Sequence, residues 1–150
     1  MIRHNKERVE SMPAKDIDHD IVVHCLKQSG WTILAEQNYI SIGDSSESHR
    51  RLYIDIQAQS HNGKIVLIEV KALDRSPVHQ LMELLGQYLV YRAALDYLEI
   101  DVPLYVAVPV TAYQGIFSHI LGQQIMQQHA LPLMIYDPVQ EAILQWMPQP

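Results

Sequence analysis

The sequence predicts a mixed α/β fold, a central mixed β-sheet flanked by helices, and three kinds of stretch carry that prediction. Residues 52–71, LYIDIQAQSHNGKIVLIEVK, alternate apolar and polar side chains and then turn β-branched after Asn62-Gly63, the pattern of two strands joined by a hairpin. Residues 102–110, VPLYVAVPV, form an apolar run suited to a strand buried inside a mixed or parallel sheet. Segments on either side repeat apolar residues at helical spacing.

In chain order, residues 1–14 are charged and non-periodic and read as a flexible leader, with a single domain over 15–150. Asp16 is placed to cap a helix whose stripe is Ile17, Ile21, Val22, Cys25 and Leu26 and which Gly30 ends. WTILAEQNYISIG, at 31–43, reads as a strand, and a polar loop rich in turn formers follows it. After the hairpin, Asp74-Arg75-Ser76-Pro77 supplies a break, a cap and a proline before a helix over 78–98. Leu81, Leu84, Leu85, Tyr88, Leu89 and Leu95 are its expected core face, and Gln80, Glu83, Gln87 and Tyr91 make a second stripe. One further helix is expected over 111–129, with Ile116, Phe117, Ile120, Leu121 and Ile125 inward. LPLMIYD and EAILQW, strands around an Asp-Pro turn, close the chain.

Composition narrows the function. At 150 residues, 48% hydrophobic and 19% charged, the chain can bury a full core. No apolar run is long enough to span a bilayer, and the N-terminus lacks the apolar centre of a secretory signal, so a cytoplasmic protein without a membrane partner is expected. Cys25 has no second cysteine to pair with, and the histidines are scattered, so neither a disulfide nor a zinc site is expected. No glycine loop for phosphates and no nucleophile elbow occurs, and no organic cofactor is implied. The net charge of 11 − 17 = −6 opposes sequence-independent binding to nucleic acid. A local patch would have to supply it, for which His49, Arg50, Arg51, Lys64, Lys71, Arg75 and Arg92 are the candidates.

The candidate chemistry lies in the hairpin. Setting Ser60 opposite Lys64 pairs Ile54 with Val70, Ile56 with Ile68 and Ala58 with Val66, giving one apolar face. The other face then sets Tyr53 against Lys71 and Asp55 against Glu69. Like charges directly opposed destabilise a strand pair, so two facing carboxylates beside a lysine call for a cation between them. A solvated sheet face with a stray ion pair is the plain alternative. At the start of the first helix, Asp16, His19 and Asp20 also cluster, where acids suit the helix dipole in any case.

The element order, with Asp on one hairpin strand and Glu-x-Lys on the next, resembles the restriction-endonuclease-like PD-(D/E)xK superfamily. In detail, MPAKDIDHDIVVHCLKQSGWTI, YIDIQAQ, IEVKAL, LLGQYLVYRAAL, LYVAV and LPLMIYD followed by ILQW are similar to the XisH family, the cyanobacterial fdxN element excision controlling factors, over about 12–146. The resemblance implies a restriction-endonuclease-like fold, a role on DNA in programmed element excision during heterocyst development, and a XisI-type companion protein. It makes Asp55, Glu69, Lys71 and Gln87 the catalytic candidates, with Tyr91 bordering the site and His19 or Asp20 as first-helix accessories. The chain departs from the family's D-L-G-A-E type run by having Gln57 and Gln59, which removes negative charge.

Such a site would hydrolyse phosphodiesters. Asp55, Glu69 and the Val70 carbonyl would hold Mg²⁺, Lys71 would act on the attacking water, and Gln87 would orient a water or phosphate oxygen. Arg50, Arg51, Arg75 and Arg92 are the nucleic-acid-binding candidates, and a homodimer would let two strands be cut. The rival expectation is a catalytically silent accessory that binds DNA or a partner, for which Tyr39, Tyr113 and Trp146 are candidate exposed aromatics.

Overall fold

A computed structural model describes residues 13–43 and 50–150. The expectations placed on residues 1–12 and on the polar loop at 44–49 with His49 lie outside the described residues; the first helix begins at Pro13, before the expected end of the leader at 14, so Asp16 lies within the helix rather than at its N-cap. The elements are α1 (Pro13–Gln28), β1 (Thr32–Ile42), β2 (Arg50–Gln59), β3 (Ile65–Val70), α2 (Pro77–Tyr97), β4 (Leu104–Pro109), α3 (Val110–Gln114), a 3-10 turn (Ile116–Ser118), α4 (Ile120–His129), β5 (Leu133–Asp137) and β6 (Ala142–Met147). The strands form one six-stranded sheet in chain order, antiparallel except that β4 runs parallel to both β3 and β5. No described helix is long and apolar enough to cross a membrane.

Alternation along the central strands feeds two layers. Val66, Ile68 and Val70 of β3, Tyr105 and Ala107 of β4, and Met134 and Tyr136 of β5 pack with Val22, Cys25 and Leu26 of α1. The intervening Val106, Val108, Leu133 and Ile135 pack with Leu81 and Leu84 of α2 and Phe117 of the 3-10 turn. Cys25 is fully buried, and burial first, then the nearby Glu141 carboxylate, pushes its thiol up to about 11, so it is an inert packing residue. Tyr136 is also wholly buried, and its hydroxyl is without a hydrogen-bond partner among the described residues. An unsatisfied buried hydroxyl opposes folding, so Tyr136→Phe should raise unfolding stability by about 1 kcal/mol, read as a higher urea midpoint at unchanged slope.

The hairpin forms in the expected register: Ser60 N–H donates to Lys64 O, and Ala58↔Val66 and Ile56↔Ile68 are ladder partners. Gly63, at φ 90°, takes the left-handed position of the turn. The ladder stops at Ile56↔Ile68, however, and the predicted Ile54–Val70 pair does not form. Ile54 packs instead with Leu67, Leu95 and Leu104, while Val70 belongs to the α1 layer. On the other side of β2, Glu36↔Ile56 and Asn38↔Ile54 are partners, and Gln37 between them has φ 50°. Strand β2 therefore turns away from β3 at Asp55, and Tyr53 goes with it to pair with Tyr39 rather than face Lys71.

Other expectations are corrected by packing. Ser76 stands at the start of α2 but makes no side-chain cap; Gln80 reaches back instead, its Oε1 accepting from Arg75 N–H at 2.8 Å. Leu89 of the expected core face is 45% exposed, whereas Ala94 is buried. The helix expected over 111–129 is broken at Gly115 and His119, and Ile120 and Leu121 are exposed. His119 opens α4 by accepting from Leu121 N–H through Nδ1 at 3.2 Å. Trp146 is half-buried between Trp31 and Tyr105, at 5.1 and 4.9 Å between ring centroids, and Tyr113 is half-buried too, leaving Tyr39 as the exposed one of the three aromatics.

Candidate functional site

Where β2 leaves β3, two carboxylates replace the missing ladder bonds. Asp55 Oδ2 accepts from Val70 N–H at 2.8 Å, and Glu69 Oε1 accepts from Asp55 N–H at 2.9 Å. Each acid thus satisfies a backbone donor that the divergence would leave unpaired, and both are nearly buried, at 4% and 5% exposure. Strand β3 continues toward β4, with Lys71 N–H donating to Ala107 O at 2.9 Å. The register predicts Asp55 and Glu69 as opposed ladder partners; the ladder ends at Ile56↔Ile68, and the two acids meet instead through the bond of each carboxylate to the other's strand.

Around this pair the second stripe of α2 does what its spacing allows. Gln87 shares a tight crevice with Glu69, Lys71, Leu84 and Tyr88, although Gln87 itself is exposed. Tyr91 is half-buried, and its phenol is pushed up to about 12 by burial first, then by Glu69 and Asp55. A folded-state value above the ordinary phenol near 10 means that Tyr91 adds stability fully present below that ordinary value and lost as pH rises through about 12. Glu69→Gln should lower the Tyr91 value, as read by NMR titration of isotope-labelled tyrosine.

Lys71 also opens onto a wider cleft of about 340 Å³ lined by Asp18, Val70, Lys71, Asp74, Arg75 and Gln80. Burial, then Asp74, raises the Asp18 carboxyl above its usual range. Asp18 is the acid that α1 brings to this cleft, and sequence reasoning missed it. The available signal was its position one turn before Val22, whose side chain is fully buried. His19 is instead buried with Nε2 2.7 Å from Glu36 Oε1, tying α1 to β1, and Asp20 is exposed.

The basic candidates separate. Arg75 lines the cleft, while Arg50 and Arg51 lie at the exposed start of β2. Arg92 is committed to structure: it meets Asp96 at 3.2 Å and donates to the carbonyls of Val102 at 3.2 Å and Ile100 at 3.4 Å, fastening the end of α2 to the following loop. Gln57 accepts from Asn38 Nδ2 at 3.3 Å, and Gln59 donates to Gly63 O at 3.3 Å. Gln59 therefore braces the hairpin turn.

Among the described residues no three His, Cys, Asp or Glu side chains gather into a metal-sized cluster. The Asp55–Glu69 pair offers carboxylate oxygens alone. That fits Mg²⁺, which takes one or two carboxylates and fills the rest of its shell with water and phosphate, and does not fit zinc.

Fold and site together define a mixed α/β protein with a buried carboxylate pair lodged where its sheet divides and a lysine at the adjoining cleft. The family model described as XisH protein matches residues 12–144, and the chain belongs to the XisH family. Among solved structures it is similar to an fdxN element excision controlling factor protein from Anabaena variabilis, at 32% identity and TM-score 0.78 over 88% of this chain and 98% of that one. It is also similar to an XisH family protein from Nostoc punctiforme PCC 73102, at 31% identity and TM-score 0.77 over 87% and 98%. Among curated proteins none matches.

Proposed function

We propose that this chain acts on DNA in programmed element excision, as a restriction-endonuclease-like hydrolase of phosphodiesters that uses Mg²⁺. The observation that carries the reading is that the carboxylates of Asp55 and Glu69 each accept from a backbone N–H of the other's strand, which holds two buried acids together beside Lys71. Asp55, Glu69 and the Val70 carbonyl would hold the ion, which would supply Lewis-acid stabilisation of a phosphate oxygen and a more acidic water. Lys71, half-buried between the crevice and the cleft, would position the attacking water and offset charge building on phosphorus. Gln87 would orient a water or phosphate oxygen, and Arg75 would meet the DNA backbone. The similarity to the Anabaena variabilis excision controlling factor supports the assignment to excision.

Cleavage of plasmid and branched DNA, followed with Mg²⁺ or Mn²⁺, tests this. Metal-dependent nicking that Lys71→Ala and Glu69→Gln each lower by at least about a hundredfold is the expected result. DNA binding without turnover, indifferent to Lys71, overturns it.

One observation favours the accessory reading beside it. Helix α2 packs Leu81, Leu84, Ala94 and Leu95 inward yet exposes Val78, Met82, Leu89, Val90 and Tyr97, and a helix apolar on both sides ordinarily has a second neighbour. A XisI-type protein or a second copy of this chain would cover that surface. Met82→Glu with Val90→Glu should abolish co-purification with a XisI-type protein, or dimer mass by light scattering, if this surface is the contact.

A further inference from the structure

Beyond Asp55, the β1–β2 ribbon carries a surface that the carboxylate site does not use. Tyr39 and Tyr53 are cross-strand partners with ring centroids 6.1 Å apart, and each is 52% exposed. The Arg51 guanidinium lies over the Tyr39 ring, 5.1 Å from its centroid. Arg51 is two residues from Tyr53 along β2, so the three side chains share one side of the ribbon. Ile40, adjacent to Tyr39, points the other way and packs against the Ile54 cluster. The two rings therefore project from a strand pair that is anchored from behind.

We propose that Tyr39, Tyr53 and Arg51 form a stacking platform for an unpaired nucleobase, so that the DNA taken by this protein is single-stranded or carries an unpaired segment. This deepens the DNA reading and rests on it, but not on hydrolysis. Two features select the occupant. A chain of net charge −6 is poorly suited to gripping a duplex by phosphate neutralisation alone, whereas stacking on an aromatic ring depends little on net charge. A base inside a duplex hides its faces, so only an unpaired one can reach the rings; Arg51 then offers a planar cation for the base or its phosphate.

The test is fluorescence anisotropy in EDTA, with a labelled single strand and the duplex of the same sequence. Binding without a divalent ion separates this proposal from hydrolysis, whose failure would leave it standing. The single strand should bind at least about tenfold more tightly than the duplex, and Tyr39→Ala or Tyr53→Ala should each weaken it about tenfold. Tyr39→Phe, which keeps the ring, should retain binding, and Arg51→Ala should lower affinity and flatten its salt dependence. Duplex bound as well as single strand, alanine variants that bind like the wild type, or binding to neither nucleic acid would each overturn the proposal. In the last case a protein partner for the same surface becomes the reading to pursue.

Discussion

Asp55→Ala should cost the fold about 2–3 kcal/mol, whereas Asp55→Asn should cost little or nothing in the absence of divalent ions. Alanine removes the acceptor for Val70 N–H at a position only 4% exposed and leaves that donor buried without a partner. Asparagine can still accept through Oδ1, and it removes the repulsion between two neighbouring acids when both are ionised. The ordering should change once Mg²⁺ is added. An ion that binds only the folded protein stabilises it by an amount growing with concentration over its dissociation constant, so the wild type should gain and Asp55→Asn should not. Urea unfolding of the three proteins, with EDTA and with Mg²⁺, reads both effects. A wild type whose midpoint ignores Mg²⁺ would remove the metal from the proposed chemistry while leaving the structural role of the pair intact.

Gly122→Ala should cost the fold about 3 kcal/mol or more. A Cβ there would lie 2.0 Å from Ile116 O and 2.9 Å from Phe117 Cα, all backbone of the 3-10 turn, which cannot swing aside as a long side chain could. Gly86 is the internal control, since a Cβ added to it meets nothing within 4 Å. In that open position Gly86→Ala should stabilise α2 by up to about 1 kcal/mol, because glycine is the poorer helix former. Thermal or urea unfolding of the pair distinguishes a steric clash from a general change in helix propensity: similar effects of the two substitutions would refute the close-approach explanation.

Much of the architecture was legible because it depends on neighbours in sequence. Period-two alternation and the Asn62-Gly63 turn fix the hairpin register as far as Ile56↔Ile68, which brings Asp55 and Glu69 to the point where the strands part. The continuous apolar run at 102–110 marks β4 as interior, and it does lie parallel between β3 and β5. The second stripe on α2 was visible as spacing, and Gln80, Gln87 and Tyr91 do border the cleft, the crevice and the carboxylates respectively. Ile120 and Leu121 were misplaced because a helical stripe can be continued on paper through Gly115 and His119, whereas the chain bends there to lay α4 against the 3-10 turn. The resemblance points to His19 or Asp20, whereas packing turns His19 to Glu36 on β1 and leaves Asp18 to enter the cleft, because which side of α1 meets the sheet is set by distant surfaces.

By itself the sequence determined the order of the strands and of the first two helices, the hairpin register as far as Ile56 and Ile68, and the identity of the paired acids, since alternation, turn chemistry and apolar runs act within a few residues. Tertiary structure alone decided that β2 departs from β3 at Asp55, that the two acids are buried by bonding each other's strands, and that Asp18 enters the cleft. Those outcomes turn on which distant surface competes for a strand edge or a helix face. Strand β3 keeps to β4 beyond Ile68 while β2 turns away, and the carboxylates of Asp55 and Glu69 satisfy the backbone donors left between them.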